Sequence, residues 1–383
     1  MLNPAVTIFI IILPIGRLIV KGFLSSKKLF PQVFPQDFHR FCIFILTIKA
    51  YVIYKNLMNK RILKITDNVL AGKNISFDEA ISLIEAADSD FYPLLTGANT
   101  ICRHYRGKNV DLCAITNAKS GICPEDCKFC AQSSHFNTRA ARYPLIPIEK
   151  MLEAAKEGKK IRARRFCIVI SGKDADEKEL NVICEWIKRI KDEIGIHPCV
   201  SLGFINKEQL AMLKEAGLER YHHNLETSKS FFPNICTTHN YEDKVKTIEL
   251  IKEAGLSICC GGIFGMGEVM KERVELAFAL KELDVDSIPI NFLMPIPGTP
   301  LSTSDIINPL EALKTIAIFR YINPKKEIRV CGGREPVLRD LQSMLFTSGA
   351  DGILIGNYLT TLGRNSRRDL EMIRDLGLTV LPA

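Results

Sequence analysis

The residues best suited to chemistry are three cysteines within one short stretch. Residues 121–132 read GICPEDCKFCAQ, which places Cys123, Cys127 and Cys130 in a C-x3-C-x2-C arrangement. Gly121 and Pro124 bend the chain around them. Three kinds of site suit thiols that lie so close together: a zinc site, a disulfide scaffold, or an iron–sulfur cluster that leaves one iron open.

The cysteine count argues against the disulfide scaffold. The chain has 13 cysteines in 383 residues, whereas secreted disulfide scaffolds are short and carry paired cysteines at high density. A structural zinc site would need a fourth ligand, for which Cys113 and His135 are the nearest candidates. A [4Fe–4S] cluster held by three thiolates leaves one iron free to bind a small molecule. Zinc and the open cluster both remain alternatives at this point.

The net charge of +8 does not indicate a nucleic-acid-binding protein. Residues 1–57 hold seven Lys or Arg and one acid, Asp37, so they contribute +6 of the total. The remainder carries 44 basic and 42 acidic residues, a net charge of +2, with no basic tract. We therefore expect no nucleic-acid partner.

The first 57 residues differ from the rest of the chain. Two apolar runs occupy residues 5–20 and 41–54, but Pro14 and Arg17 interrupt the first, and neither run precedes a small-residue cleavage site. A targeting or membrane segment is one interpretation. We favour a region upstream of a natural start at Met58, and a cytoplasmic protein. Residues 58–110 are predicted to be helical, with Ser76 capping a helix that starts near Asp78.

Eight short β-rich runs follow, each trailed by a segment with helical spacing. Alternating βα units of this length predict a (β/α)8 TIM-type barrel over residues 111–383, with a doubly wound open sheet as the alternative, since strand count does not show closure. The runs cover residues 112–116, 165–171, 198–203, 220–226, 257–265, 287–293, 327–333 and 352–357.

Four of these strands carry residues that are unusual for a purely structural barrel. They are Cys167, Cys199, Cys259 and Arg329. A single strand cysteine is most often a small buried hydrophobe. An inward Arg329 would need a charged partner, because an isolated buried charge is costly, whereas an outward one would pair with a helix.

The cysteine motif resembles that of the radical S-adenosylmethionine superfamily, including the aromatic Phe129 before Cys130. This resemblance implies a [4Fe–4S] cluster on Cys123, Cys127 and Cys130, with S-adenosylmethionine on its open iron. Over residues 58–383 the chain also resembles the biotin synthase family. The matching stretches are GICPEDCKFCAQSS, YHHNLETS (221–228), CCGGIFGMGE (259–268), PINFLMPIPGTPL (289–301) and IRVCGGRE (328–335).

That second resemblance implies a further cluster and a reaction. A [2Fe–2S] cluster would be held by Cys167, Cys199, Cys259 and Arg329, and it would donate sulfur to dethiobiotin to form biotin. The resemblance also implies a homodimer and an electron donor such as flavodoxin or ferredoxin. Residues expected to bind S-adenosylmethionine or substrate are Asn224, Asn291, Glu226, His222 and Ile263; His222 and Glu226 depart from the more common Asn-His-Asn-Leu-Asp pattern.

The remaining cysteines are expected to have smaller roles. Strand alternation puts Cys260 on the face opposite Cys259, and puts Cys331 on the same face as Arg329. We expect ordinary packing for Cys102, Cys113, Cys184 and Cys236. Two rival functions keep the cysteine triad but leave the strand residues unexplained. One is a different radical enzyme, such as a maturase of an iron-only hydrogenase, and the other is a non-catalytic iron–sulfur or zinc protein.

Overall fold

The computed structural model describes residues 59–89 and 91–382. The predicted targeting or upstream segment, residues 1–57, lies outside them. The helices are α1 (residues 59–70), α2 (Phe77–Ser89), α3 (Phe91–Arg106), α4 (Ile148–Lys160), α5 (Glu177–Arg189), α6 (Lys207–Glu215), α7 (Tyr241–Glu253), α8 (Met270–Glu282), α9 (Pro309–Ile322), α10 (Arg334–Leu338), α11 (Met344–Thr347) and α12 (Ser366–Asp375). The strands are β1 (Asn109–Lys119), β2 (Arg165–Ile170), β3 (His197–Ser201), β4 (Arg220–His222), β5 (Ser257–Cys259), β6 (Gly262–Phe264), β7 (Ser287–Phe292), β8 (Glu327–Val330), β9 (Gly352–Leu354) and β10 (Thr379–Val380).

The sheet closes into a parallel barrel. Its order runs β1-β2-β3-β4-β5-β7-β8-β9, and β9 returns to pair with β1. Leu112 of β1 aligns with Ile353 of β9 at this closing pair. The (β/α)8 prediction is confirmed, and the doubly wound sheet is excluded because an open sheet has no such pairing.

The fifth predicted strand differs in one respect. Residues 257–265 form two short strands, β5 and β6, and both pair with β7. Cys260 and Gly261 separate them, and Gly261 lies close against β7, where an added Cβ would come 2.0 Å from the carbonyl oxygen of Pro289. Glycine therefore permits the close approach that lets the chain step along β7.

Local sequence signals set the helix starts. Ser76 Oγ accepts a hydrogen bond from the Glu79 N–H at 3.1 Å, and Glu79 accepts one from the Ser76 N–H at 2.9 Å. This capping box starts α2 at Phe77, as the predicted cap indicated. Asp176, Asn206 and Asn240 cap α5, α6 and α7 in the same way.

The N-terminal helices pack on the barrel through α9. Thr66 in α1 and Tyr321 in α9 share a hydrogen bond of 2.7 Å, and both side chains are buried. The main apolar core lies between the sheet and the surrounding helices. Within the described part of the chain, every helix is too short or too polar to cross a membrane.

Candidate active site inside the barrel

A cavity of about 280 Å³ lies inside the barrel. Its lining includes residues from nine of the ten strands, β1 to β9. Among its lining residues are Cys113, Ile115, Phe129, Arg165, Cys167, Cys199, Arg220, His222, Asn224, Glu226, Cys259, Ile263, Asn291, Arg329 and Cys331. Of the strand-borne residues predicted to form the site, all line this cavity.

The three strand cysteines are placed by register. Cys167 and Cys199 align directly on neighbouring strands β2 and β3. Cys259 aligns with His222 on one side and with Ser287 on the other. Cys260 does not line the cavity; it packs in the core outside the sheet, as strand alternation predicts.

The Arg329 side chain points into the barrel and forms ion pairs with two carboxylates. Its Nη2 donates to Asp111 at 2.6 Å and also contacts Glu327. Its Nε is buried and has no hydrogen-bond partner among the described residues. The inward orientation, one of the two considered from the sequence, is the observed one.

Further charged and polar side chains surround Arg329 and its two carboxylate partners near the amino-terminal ends of the strands. Arg220 Nη1 lies 3.3 Å from Glu327, and Ser287 donates to the same carboxylate at 2.9 Å. Burial would raise the pKa of Glu327, but Arg329 and Arg220 lower it to about 2. Burial would lower the pKa of Arg329, but Glu327, Cys113 and Asp111 raise it well above its ordinary value. The guanidinium is therefore charged.

Burial works against ionised thiols in this cavity. It raises the pKa of Cys113 to about 12 and also raises that of Cys259, while Arg329 lowers both. The hydrogen bond between Cys167 and Cys199 raises the pKa of Cys167 and lowers that of Cys199. Thiolates bind metal more tightly than thiols. The donor set, with several thiols, a cation and an unpartnered Arg329 Nε, fits an anionic iron–sulfur cluster.

The two predicted asparagines are bonded to neighbouring backbone. The Gly261 N–H donates to Asn224 Oδ1 at 3.0 Å. Asn291 donates to the Gly262 carbonyl at 3.2 Å and accepts from the Gly332 N–H at 3.0 Å. These bonds satisfy the expectation that each amide has a partner. They also fix the side chains at the cavity wall.

Glu226 is held in an unusual conformation at the same wall. Its φ is +71°, a left-handed value that is uncommon for a residue other than glycine. Asn224 Nδ2 donates to Glu226 at 3.3 Å, and the Ile263 N–H donates to the Glu226 carbonyl at 2.8 Å. His222 also lines the cavity, and burial lowers its pKa, so it presents a neutral imidazole.

The cysteine triad lies in the loop that follows β1, at the carboxyl end where barrel enzymes place their active sites. The Cys123 N–H donates to the Gln132 carbonyl at 3.0 Å, and the Cys130 N–H to the Cys127 carbonyl at 2.9 Å. Phe129 lines the barrel cavity and also a second cavity of about 250 Å³ that contains Cys130, Ile263 and Asn291. The triad loop and the strand cysteines therefore border two cavities that share several lining residues.

Two cysteines have neighbours that the sequence interpretation missed. Cys113, predicted to be a packing residue, lies in the cavity beside Cys167, Cys199 and Cys331. Cys236 was also predicted to be a packing residue, but its Sγ lies 3.9 Å from the Sγ of Cys127. The signal for Cys113 was its place in a strand two residues before the inward Ile115. Cys102 and Cys184 are buried in the core, as predicted.

Comparisons with known proteins agree with this geometry. The Radical SAM superfamily matches residues 118–280, and the Biotin and Thiamin Synthesis associated domain matches residues 289–379. Biotin synthase of Geobacter metallireducens is 52% identical over 324 residues, which span 84% of this chain and 98% of that protein. Biotin synthase of Geotalea daltonii is 51% identical over the same shares of the two chains.

Solved structures share the fold at low sequence identity. Methylornithine synthase superposes with a TM-score of 0.72 at 20% identity and covers 83% of this chain and 97% of its own. The FeFe-hydrogenase maturase of Carboxydothermus hydrogenoformans superposes with a TM-score of 0.69 at 20% identity, covering 88% of this chain and 83% of its own. These structures do not distinguish between the rival functions, whereas the relatives with about 50% sequence identity do. On the basis of those relatives, the chain belongs to the biotin synthase family of sulfur-inserting radical S-adenosylmethionine enzymes.

Proposed function

We propose that this chain converts dethiobiotin into biotin inside the barrel cavity, with S-adenosylmethionine as cosubstrate. The proposed ligands of the [4Fe–4S] cluster are Cys123, Cys127 and Cys130. Those of the [2Fe–2S] cluster are Cys167, Cys199, Cys259 and Arg329. One observation carries the proposal: the four proposed ligands of the [2Fe–2S] cluster line a single cavity. Phe129, which belongs to the triad loop, lines the same cavity.

The protein's own contribution is positioning and the exclusion of water. When bound, the clusters and S-adenosylmethionine supply the radical chemistry and the sulfur atom. Ile115, Ile263 and Leu354 give the cavity an apolar wall that keeps water from a reactive radical. Asn224 and Asn291, already held by backbone bonds, can present fixed amide dipoles to a polar ligand without losing much entropy.

Arg329 would act as a fixed positive charge beside an anionic cluster. Its partners Asp111 and Glu327 hold the guanidinium in place and keep it protonated. Its Nε has no hydrogen-bond partner among the described residues. This favours an electrostatic contact over a neutral arginine ligand, the two alternatives that the sequence left open.

Three further proposals follow from the family resemblance. The electron donor would be a flavodoxin or ferredoxin, the assembly a homodimer, and the compartment the cytoplasm. We also propose three segments: the extension 1–57, the helical segment 58–110 and the barrel 111–383. Size-exclusion chromatography with light scattering tests the dimer.

Anaerobic reconstitution of the full chain tests the two-cluster proposal. Iron and sulfide would be counted per chain, and optical spectra compared between the wild type, Cys199→Ala and the control Cys184→Ala, whose cysteine packs outside the barrel. We expect two cluster signatures in the wild type and the control, and loss of only the [2Fe–2S] signature in Cys199→Ala. Biotin formation from dethiobiotin should disappear with it. A single cluster type, unaffected by Cys199→Ala, would contradict the proposal.

Variants of Cys113 and Cys331 test how many irons the second cluster contains. Both thiols lie in the cavity beside the proposed ligands. If the cluster is [2Fe–2S], Cys113→Ala and Cys331→Ala should each leave the iron count unchanged. A lower count in either variant, together with a second four-iron signature in the wild type, would show a larger cluster that uses these thiols.

A further inference from the structure

A second group of metal-binding side chains lies beside the triad loop, outside the barrel cavity. The Sγ atoms of Cys127 and Cys236 are 3.9 Å apart. Cys236 Sγ lies 3.3 Å from Nδ1 and 3.7 Å from Nε2 of His239. One ligand atom from each of the three residues falls within 4.8 Å of the others.

These separations match the edges of a small tetrahedral site. Two thiolates at about 2.3 Å and an imidazole at about 2.0 Å from one zinc ion give edges of roughly 3.8 Å between sulfurs and 3.5 Å between sulfur and nitrogen. Two cysteines and one histidine are also the ligand types that zinc and ferrous iron accept. The two edges that meet at Cys236 therefore match a single ion closely, and the third edge, between Cys127 and His239, is within 4.8 Å.

The histidine is oriented by a carboxylate. His239 Nδ1 contacts Glu125, and Thr238 donates to the same carboxylate at 2.6 Å. The side chains of His239 and Glu125 are only 5% and 8% exposed. A carboxylate on one ring nitrogen fixes the tautomer and leaves the other nitrogen, here Nε2, as the ligand, an arrangement common around protein-bound zinc.

Hydrogen bonds hold the triad loop against the loop of residues 235–239. The Lys128 N–H donates to the Ile235 carbonyl at 2.9 Å, and Asp126 accepts from the Thr237 N–H at 2.8 Å. His239 also packs edge-on against Phe204, with ring centroids 5.3 Å apart. The three ligand residues are thus positioned before any ion binds, which lowers the entropic cost of binding.

An entry path reaches the group from solvent. A surface cleft of about 580 Å³ is lined by Cys236, Thr238 and His239, among others. The path matters because a buried ligand set without access would fill only during folding.

We propose that Cys127, Cys236 and His239 form a mononuclear site for one divalent transition-metal ion, zinc or ferrous iron. Because Cys127 is also a proposed ligand of the triad cluster, and we take its thiolate to bind one metal terminally in either centre, occupancy of this site and of the triad cluster exclude each other. Zinc in the site therefore blocks assembly of the [4Fe–4S] cluster. The exclusion rests on the proposed function, but the ion site does not.

Cobalt(II) is the probe for the site, because its visible absorption reports tetrahedral coordination by thiolate. The full chain, freed of clusters by a chelator and kept reduced and anaerobic, would be titrated with cobalt. We expect one cobalt per chain with thiolate charge-transfer bands. Cys236→Ser and His239→Gln should abolish them, and Glu125→Gln should weaken binding about 10- to 100-fold.

Two controls separate this site from the triad. Cys130→Ser and Cys184→Ser should bind cobalt as the wild type does. If Cys130→Ser abolishes the bands while Cys236→Ser retains them, the triad holds the ion and the proposal is wrong; absence of cobalt binding in the wild type would overturn it as well. Far-UV circular dichroism checks folding, and His239→Gln and Glu125→Gln carry the test should Cys236→Ser misfold.

The rate of cluster assembly tests whether the ion site and the triad cluster exclude each other. Zinc-loaded wild type should take up iron and sulfide at least about tenfold more slowly than zinc-free protein, because a bound ion must first leave Cys127. His239→Gln should show no such delay. Cobalt binding as expected, combined with unslowed cluster assembly, would overturn the exclusion alone, since Cys127 would then either bridge the two centres or not bind the cluster.

Discussion

Arg329 and Asp111 meet at 2.6 Å between Nη2 and Oδ1, although 218 residues separate them in the sequence. Both side chains are almost fully buried, at 3% and 2% exposure. They join β8 to β1 across β9, the strand that pairs with both. The pair therefore links closure of the barrel to the orientation of the proposed arginine ligand.

Asp111→Asn should both destabilise the protein and disturb the second cluster. Removing one partner of a buried ion pair costs up to about 3–5 kcal/mol, and Arg329 would keep Glu327 as its one remaining carboxylate partner among the described residues. We expect that loss in the free energy of unfolding in urea, together with a weaker [2Fe–2S] absorption after reconstitution. Asp340→Asn, at an exposed position, is the control and should change neither. An unchanged cluster in a destabilised Asp111→Asn would confine the pair to a structural role.

Glu327 should make stability depend on pH in the acid range. Its pKa is lowered from 4.5 to about 2 in the folded protein by Arg329 and Arg220, against the effect of burial. The unfolded chain therefore binds the proton first as pH falls. Glu327 stabilises the fold fully above pH 4.5, and this contribution decreases below it and is lost as pH falls through about 2.

The measurement is the free energy of unfolding against pH for wild type and Glu327→Gln. The difference between the two should shrink as pH falls below 4.5. Glu208→Gln, at an exposed position in α6, should parallel the wild type. A difference that stays constant with pH would show that the Glu327 carboxylate is not preferentially ionised in the folded state.

Asn291→Ala should weaken binding of S-adenosylmethionine. The change removes the acceptor of the Gly332 N–H and the donor to the Gly262 carbonyl, at a cost of about 1–3 kcal/mol for each buried group left unpaired. Because Asn291 borders both cavities, we expect at least about a tenfold loss of affinity in calorimetry on reconstituted protein, which corresponds to 1.4 kcal/mol.

Asn181→Ala, at an exposed position in α5, is the matched control for the asparagine variant. It should bind S-adenosylmethionine as the wild type does. Lower stability with unchanged affinity in Asn291→Ala would identify that asparagine as a satisfied core residue instead of a ligand-binding one.

Ser76→Ala should destabilise the helical segment that precedes the barrel. The hydroxyl caps α2 by accepting the Glu79 N–H, and loss of such a cap costs about 1 kcal/mol. Glu79→Gln keeps an acceptor for the Ser76 N–H and should cost only a few tenths of a kcal/mol. Thermal unfolding of the full chain measures both. Equal losses in the two variants would contradict a cap centred on the Ser76 hydroxyl.

The sequence by itself determined the features that depend on local spacing. The C-x3-C-x2-C stretch predicts a metal loop because its thiols are neighbours along the chain. Alternating β-rich runs and helical segments predict eight βα units, and Ser76 predicts the start of α2. Strand alternation also predicts that Cys259 and Cys260 face opposite sides. Each of these follows from covalent connectivity and from the period of a helix or strand.

Only the tertiary structure decided which distant residues meet. Pairing of β9 with β1 closed the barrel, and its register brought Cys113 into the same cavity as Cys167 and Cys331. Packing of the 235–239 loop against the triad placed Cys236 beside Cys127. Asp111 became the partner of Arg329 for the same reason. Register and loop packing depend on the burial of the whole core and not on any local pattern, so no single stretch of sequence encodes them.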